Sequence, residues 1–207
     1  MKIVSLKTHV VDAFRTNFVF VKIETDDGLH GVGEGTLETR ELTVASAINE
    51  LAQYLVGQDP FRTTFHLEMM NRDSYWRAGP VLRSALAAVE AALLDIKGKA
   101  LGVPVYELLG GKHRDSIRCY ANAWFVGAKT PEQFADAAVA TVAKGFKGLK
   151  WDPFGSAYMT MSRAERHQSI EIVEAVRSAV GRSVDLMIEG HGRFDVGSAS
   201  IDRRRWA

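Results

Sequence analysis

Two short polar pairs carry the chemistry that this sequence can support. Lys150 and Asp152 stand two residues apart at the end of the run Gly148-Leu149-Lys150-Trp151-Asp152, and Glu189 and His191 stand two apart where the run from Val184 ends. Residues i and i+2 of a strand share one side, so each pair projects together. The four side chains suit one reaction type, removal of a proton beside a carboxylate. Such a proton is a very weak acid, and the enediolate it leaves needs a hard cation held on carboxylates while Lys or His moves protons. In that chemistry Glu189 is one metal ligand, Lys150 is a cation beside the developing charge, and His191 is the general acid that expels hydroxide, because an imidazole titrates near neutrality. Taken singly, a Glu or Lys at a strand end is more often a solvated or salt-bridged charge. Gly190 and Gly192 on either side of His191 mark a crowded backbone and favour the functional reading there.

For the pairs to meet, their strands must be parallel neighbours, and the segment after Gly110-Gly111 has that grammar. Ser116 to Ala121 reads as a first strand, Gly148 to Asp152 as a second and Val184 to Glu189 as a third. Thr130-Pro131-Glu132-Gln133 is a capping box with Pro at the first helical position, opening a helix to about Lys144. Ser162-Arg163-Ala164-Glu165 is another, opening a helix that ends at Gly181. A β-α-β-α-β series gives parallel strands, either in a (β/α)8 barrel or in a doubly wound sheet. In a barrel the four polar residues would gather at one mouth, where the carboxyl ends of the strands converge. Beyond Arg193 no apolar period is evident, and no helix is assigned to 195–207.

Residues 1 to 112 read as an α+β unit. Ile3, Val4 and Leu6 begin one strand, and Phe18 to Thr25 form a β-rich run. Asp26-Asp27-Gly28 is a hairpin turn signal, with Leu29 to Glu34 as the return strand. Val44, Ile48, Leu51 and Leu55 then take helical spacing, as do Leu82, Leu86, Val89, Leu93 and Ile96 before the stop at Gly102 and Pro104. The Leu and Ala stripe of 82–101 reads as core. Trp76, Arg77 and Gly79-Pro80 read either as a loop over a cavity or as core packing. Gly31-Val32-Gly33-Glu34-Gly35 is no nucleotide loop, since it follows a hairpin turn and opens no helix; tight packing explains it better.

The bulk numbers narrow the partner. The chain has 207 residues, 26 Lys+Arg against 25 Asp+Glu, and 46% hydrophobic residues, so it can bury a core but presents no electrostatic case for nucleic acid or an anionic membrane. The single Cys119 excludes an internal disulfide. The start MKIVSLKTHV lacks the apolar stretch of a signal peptide or membrane helix, and the cytoplasm is the expected compartment.

Several of these segments together resemble a known family, the mandelate racemase and muconate lactonising enzyme branch of the enolase superfamily. The likeness covers about residues 1 to 194. It is carried by Val21 to Leu29 with Gly31-Val32-Gly33-Glu34, by Ala91 to Val105, and by Leu108-Leu109-Gly110-Gly111. Gly148 to Phe154 and Glu189 to Phe194 look like the galactonate-dehydratase type of acid-sugar dehydratase. The resemblance implies an α+β capping domain (1–112) followed by an incomplete TIM-type (β/α) barrel (113–207) with about three parallel strands. It implies a Mg2+-dependent hydro-lyase that turns sugar acids into 2-keto-3-deoxy acids. It places a metal ligand at Glu189, where many relatives carry Asp, and the general acid at His191. Asp152 stands where relatives often have the last Lys of Lys-x-Lys, which argues against racemisation and puts Asp152 among the substrate contacts. Arg15, near the mobile loop of the capping domain, is a further substrate contact on this likeness.

Relatives of this type continue for roughly as many residues again, with two more carboxylate ligands and a His-Asp base. The expectation is therefore a truncated chain, through a shifted frame or a premature end after Asp195, with weak Mg2+ binding and negligible dehydratase activity by itself. Three strands of an eight-stranded barrel leave unpaired edges. The rival reading is a non-catalytic remnant or interaction protein that forms a homo-oligomer through those edges.

Overall fold

A computed structural model describes residues 1–13, 16–73 and 75–203 of the chain. The chain divides into two compact units, Met1–Asp115 and Ser116–Ala207.

In the first unit, β1 (Ile3–Ala13), β2 (Thr16–Thr25) and β3 (His30–Glu34) form an antiparallel sheet in that order. Alternation along β2 sends Val19, Val21 and Ile23 into the core while Lys22 and Glu24 face outward, where Glu24 takes hydrogen bonds from Ser5, Lys7 and Lys22. The turn at Asp26-Asp27-Gly28 forms as read, with Gly28 at a φ of 88°. Helices α1 (Glu41–Leu55), α2 (Thr63–Arg72), α3 (Pro80–Leu101) and α4 (Val105–Leu108) follow.

Pro80 opens α3, and Gly102 closes it in the left-handed conformation. Ala85, Ala88, Val89, Ala92, Leu93 and Ile96 form its buried face. The small residues of that face let β3 come very close. A Cβ on Gly31 would lie 2.0 Å from the Ala92 carbonyl oxygen, and one on Gly33 would lie 1.9 Å from that of Ala88. The glycine run is thus a packing device. Helix α2 escapes apolar pattern reading because two of its three buried residues are Thr63 and His66, the latter bonded through Nε2 to the Asp59 carbonyl at 2.8 Å. Core packing fails for Trp76, which is 86% exposed. It lines, with Arg77, Tyr54, Met70 and Leu86, a cleft of about 260 Å³ within this unit.

The second unit contains α5 (Pro131–Val142), β4 (Gly148–Trp151), α6 (Arg163–Val180), β5 (Asp185–Ile188) and α7 (Val196–Arg203). Both capping boxes are formed, Thr130 with Gln133 and Ser162 with Glu165. Strands β4 and β5 pair in parallel, with Lys150 opposite Met187 and Trp151 opposite Ile188. Phe134 and Ala138 from α5, Leu149 and Trp151 from β4, and Ile172 and Val176 from α6 share one core. The parallel pair with its helices fits a partial barrel.

Two expectations are corrected here. Ser116–Ala121 is not a strand: residues 116–120 are all exposed, and only Ala121 joins the sheet, through an isolated parallel bridge to Leu149. The described sheet therefore has two strands where three were read. The segment after Arg193 is helical, because the Asp195 side chain accepts a hydrogen bond from the Ser198 backbone at 2.7 Å and caps α7. Its apolar period is too sparse for the spacing rule to catch.

Candidate active site

The carboxyl ends of β4 and β5 bring the four predicted residues into one hydrogen-bonded network. Trp151 points into the core at 1% exposure, so its neighbours Lys150 and Asp152 share the opposite side. The Glu189 backbone N–H bonds the Trp151 carbonyl at 2.9 Å, carrying the parallel ladder one residue past β5. That register sets the Lys150 ammonium 2.8 Å from Glu189 Oε2. The other carboxylate oxygen, Oε1, accepts the backbone N–H of His191 at 2.8 Å. Lys150 and His191 together hold the Glu189 carboxyl at a pKa of about 2, the ammonium contributing most. The same pairing raises the pKa of Lys150.

Past Glu189 the chain reverses. His191 has a φ of 53° and Gly192 one of 62°, both left-handed. The reversal returns the imidazole toward β4, with Nδ1 3.2 Å from Asp152 Oδ2. Arg193, two residues further on, places its Nη2 2.7 Å from both oxygens of Asp152. Phe154 donates its backbone N–H to Asp152 Oδ1 at 3.0 Å. Beneath these groups the rings of Phe154 and Phe194 meet edge to face at 5.0 Å, and Met159 bonds the backbone of Arg193 and Asp195, so the loops after β4 and β5 brace each other.

Side-chain exposure sorts the network. Asp152 and Arg193 are the most enclosed at 17% and 21%, Lys150 and Glu189 are intermediate, and His191 is open at 55%. The imidazole is thus the group most available to a solute. Arg193 was not singled out as a site residue, although Glu189, His191 and Arg193 continue an i, i+2 spacing; the turn at His191 makes that spacing uninformative in a strand-based reading. Arg15 lies outside the described residues.

Among the described residues, no group of three or more His, Cys, Asp or Glu side chains is placed to hold a metal ion. Glu189 is a hard oxygen donor of the right kind, and each of its oxygens, though it accepts one hydrogen bond, keeps a lone pair for a cation; a single carboxylate nevertheless does not by itself build a Mg2+ site.

A parallel-stranded unit with a Lys, Glu and His network at its strand tips, preceded by an antiparallel sheet and helices, defines a class of two-part α/β protein whose members are known. Residues 3–110 match the family described as mandelate racemase / muconate lactonizing enzyme, N-terminal domain, and residues 133–204 match the enolase C-terminal domain-like family. The chain belongs to the mandelate racemase / muconate lactonizing enzyme family. The second match runs past Asp195, where the sequence reading ended the likeness.

A D-gluconate dehydratase of Thermoproteus tenax is 40% identical over 182 residues, covering 87% of this chain and 37% of that protein. A D-galactonate dehydratase of Pectobacterium atrosepticum is 37% identical over 201 residues, covering 97% and 51%. A crystal structure of an enolase superfamily member from Salmonella Typhimurium superposes with a TM-score of 0.92 at 32% identity, covering 99% of this chain and 58% of that one. The chain thus spans roughly half or less of the length of these curated relatives.

Proposed function

We propose that this chain carries part of the active site of a Mg2+-dependent sugar-acid dehydratase acting on an aldonate such as D-galactonate or D-gluconate. The observation that carries the reading is the meeting of Lys150, Glu189 and His191 at the tips of two paired parallel strands. The relatives' names supply the substrate class.

In this reading the proton α to the carboxylate leaves first, and the neighbouring hydroxyl then departs as water. His191 donates the proton that makes hydroxide a leaving group, a role its exposure permits. Lys150 stands beside the charge that develops on the substrate carboxylate. Glu189 would be one ligand of a Mg2+ ion, which would supply a positive charge beside the developing enediolate. The family likeness puts the remaining ligands and the proton-abstracting base beyond residue 207. A polypeptide of residues 1–207 alone accordingly turns over no sugar acid. The balanced charge and small-molecule chemistry suit a cytoplasmic enzyme.

Joining residues 1–194 to the remainder of the Pectobacterium D-galactonate dehydratase tests the proposal. The chimera is expected to form a 2-keto-3-deoxy acid from D-galactonate when Mg2+ is added, while the 207-residue polypeptide forms none. A folded but inert chimera, or a polypeptide active alone, contradicts it.

One observation favours the rival. Ile188 on β5 and Ile117 and Tyr120 beside the Ala121 bridge are exposed at 36%, 78% and 50%, which leaves apolar side chains beside open strand edges. A defined oligomer in light scattering, with no Mg2+ affinity, would support a self-associating protein instead.

A further inference from the structure

Three of the acceptor positions of Asp152 are filled by donors, and the fourth faces His191. A carboxylate offers about four acceptor positions. Here Oδ1 takes the Phe154 backbone N–H and Arg193 Nη2, and Oδ2 takes Arg193 Nη2 and faces His191 Nδ1. Arg193 is itself anchored, with Nη1 3.3 Å from the Gly155 carbonyl and its guanidinium 5.3 Å from the Phe194 ring centre. The backbone of His191 is fixed as well, through its left-handed φ and the bond from its N–H to Glu189. The Asp152 carboxylate is therefore held from several sides, and the backbone that carries the imidazole is fixed beside it.

We infer that Asp152 is a positioning residue that accepts the Nδ1 proton of His191 and fixes the imidazole in the Nδ1–H tautomer, with Arg193 clamping Asp152 in place. A carboxylate can only accept, so a bond across this 3.2 Å contact needs the hydrogen on Nδ1. Nε2 is then the nitrogen turned away from Asp152 and free to exchange a proton with substrate. The inference rests on reading His191 as the general acid. It gives Asp152 the work of orienting that acid, in place of the substrate contact expected from its position in the sequence. The arrangement follows the logic by which a buried carboxylate sets the tautomer of a working histidine.

The test is the side-chain nitrogen spectrum of His191 in the 207-residue polypeptide, labelled with 15N in the imidazole rings and recorded at about pH 8.5, above the ordinary histidine range. Loss of one ring system in His191→Gln assigns the signal. The expected spectrum has a proton-bearing Nδ1 and a bare Nε2, the reverse of the preference of a free histidine side chain.

In Asp152→Asn the Phe154 backbone N–H, which bonds Oδ1 alone, holds the amide oxygen at that position, so its NH2 group faces His191. The two ring-nitrogen shifts are then expected to exchange, while Arg193→Lys, which keeps a donor, preserves the wild-type pattern. An Nε2–H tautomer in the wild type overturns the inference whether or not the variants fold, and so does a folded Asp152→Asn with an unchanged tautomer. The readout needs neither metal nor substrate. An inert chimera with the Nδ1–H tautomer intact counts against the dehydratase reading alone, and the opposite tautomer counts against the positioning of His191 alone.

Discussion

At the scale of single residues, charge pairing sets the behaviour of both units. Glu24 accepts hydrogen bonds from Lys22, Ser5 and Lys7, and its carboxyl drops from 4.5 to about 2, the Lys22 bond contributing most. The folded state binds its proton less readily than the unfolded state, so the stabilisation is fully present above about 4.5 and is lost as the pH falls through about 2. Glu24→Gln is expected to flatten the pH dependence of unfolding in that window, read from urea midpoints between pH 2 and 5.

The Lys150–Glu189 pair is partly exposed, and Lys150→Met is expected to leave the urea midpoint near neutral pH almost unchanged. In the proposed reaction the part of Lys150 is to stand beside the charge that develops on the substrate. That Lys150 and Asp152 share a side was legible in the sequence because strand alternation fixes direction; the contact of Lys150 with Glu189 comes from the register of the parallel pair. The clamp by Arg193 was not, because a histidine in a left-handed turn leaves no trace in residue spacing.

At the scale of elements, close approach and capping decide the outcome. Gly33→Ala would drive a methyl group against the backbone of α3 with no flexible side chain to yield, and a loss of about 3 kcal/mol is expected in chemical denaturation. Gly28→Ala meets no atom within 4 Å and pays only for its positive φ, about 1 kcal/mol. A similar loss for both would contradict the packing account of the glycine run. Ser162→Ala removes the cap of α6 and is expected to cost about 1 kcal/mol.

The two capping boxes and the long α3 were readable because each carries its signal within a few residues. Ser116–Ala121 misled because a strand is completed by partners, and only Ala121 has one. Helix α7 was missed because a single Asp cap defines its start without an apolar stripe behind it.

At the scale of the whole molecule, each unit has its own core, Val19, Val21, Ile23 and the α3 stripe in one, Leu149, Trp151 and Val176 in the other. A polypeptide of residues 1–115 is expected to keep its antiparallel sheet and unfold in one cooperative transition by circular dichroism; a gradual loss would show that its core needs the rest of the chain. Family membership was legible from the whole chain because its glycine run, its α3 stripe and its strand tips recur together, whereas none of them alone names a reaction.

The proposed role of His191 as the acid of a sugar-acid dehydratase is tested most directly by kcat/KM for D-galactonate in the chimera. His191→Asn is predicted to lower that value by about 100-fold or more, the usual contribution of a positioned general acid. A His191→Asn chimera within about twofold of its parent would contradict the account.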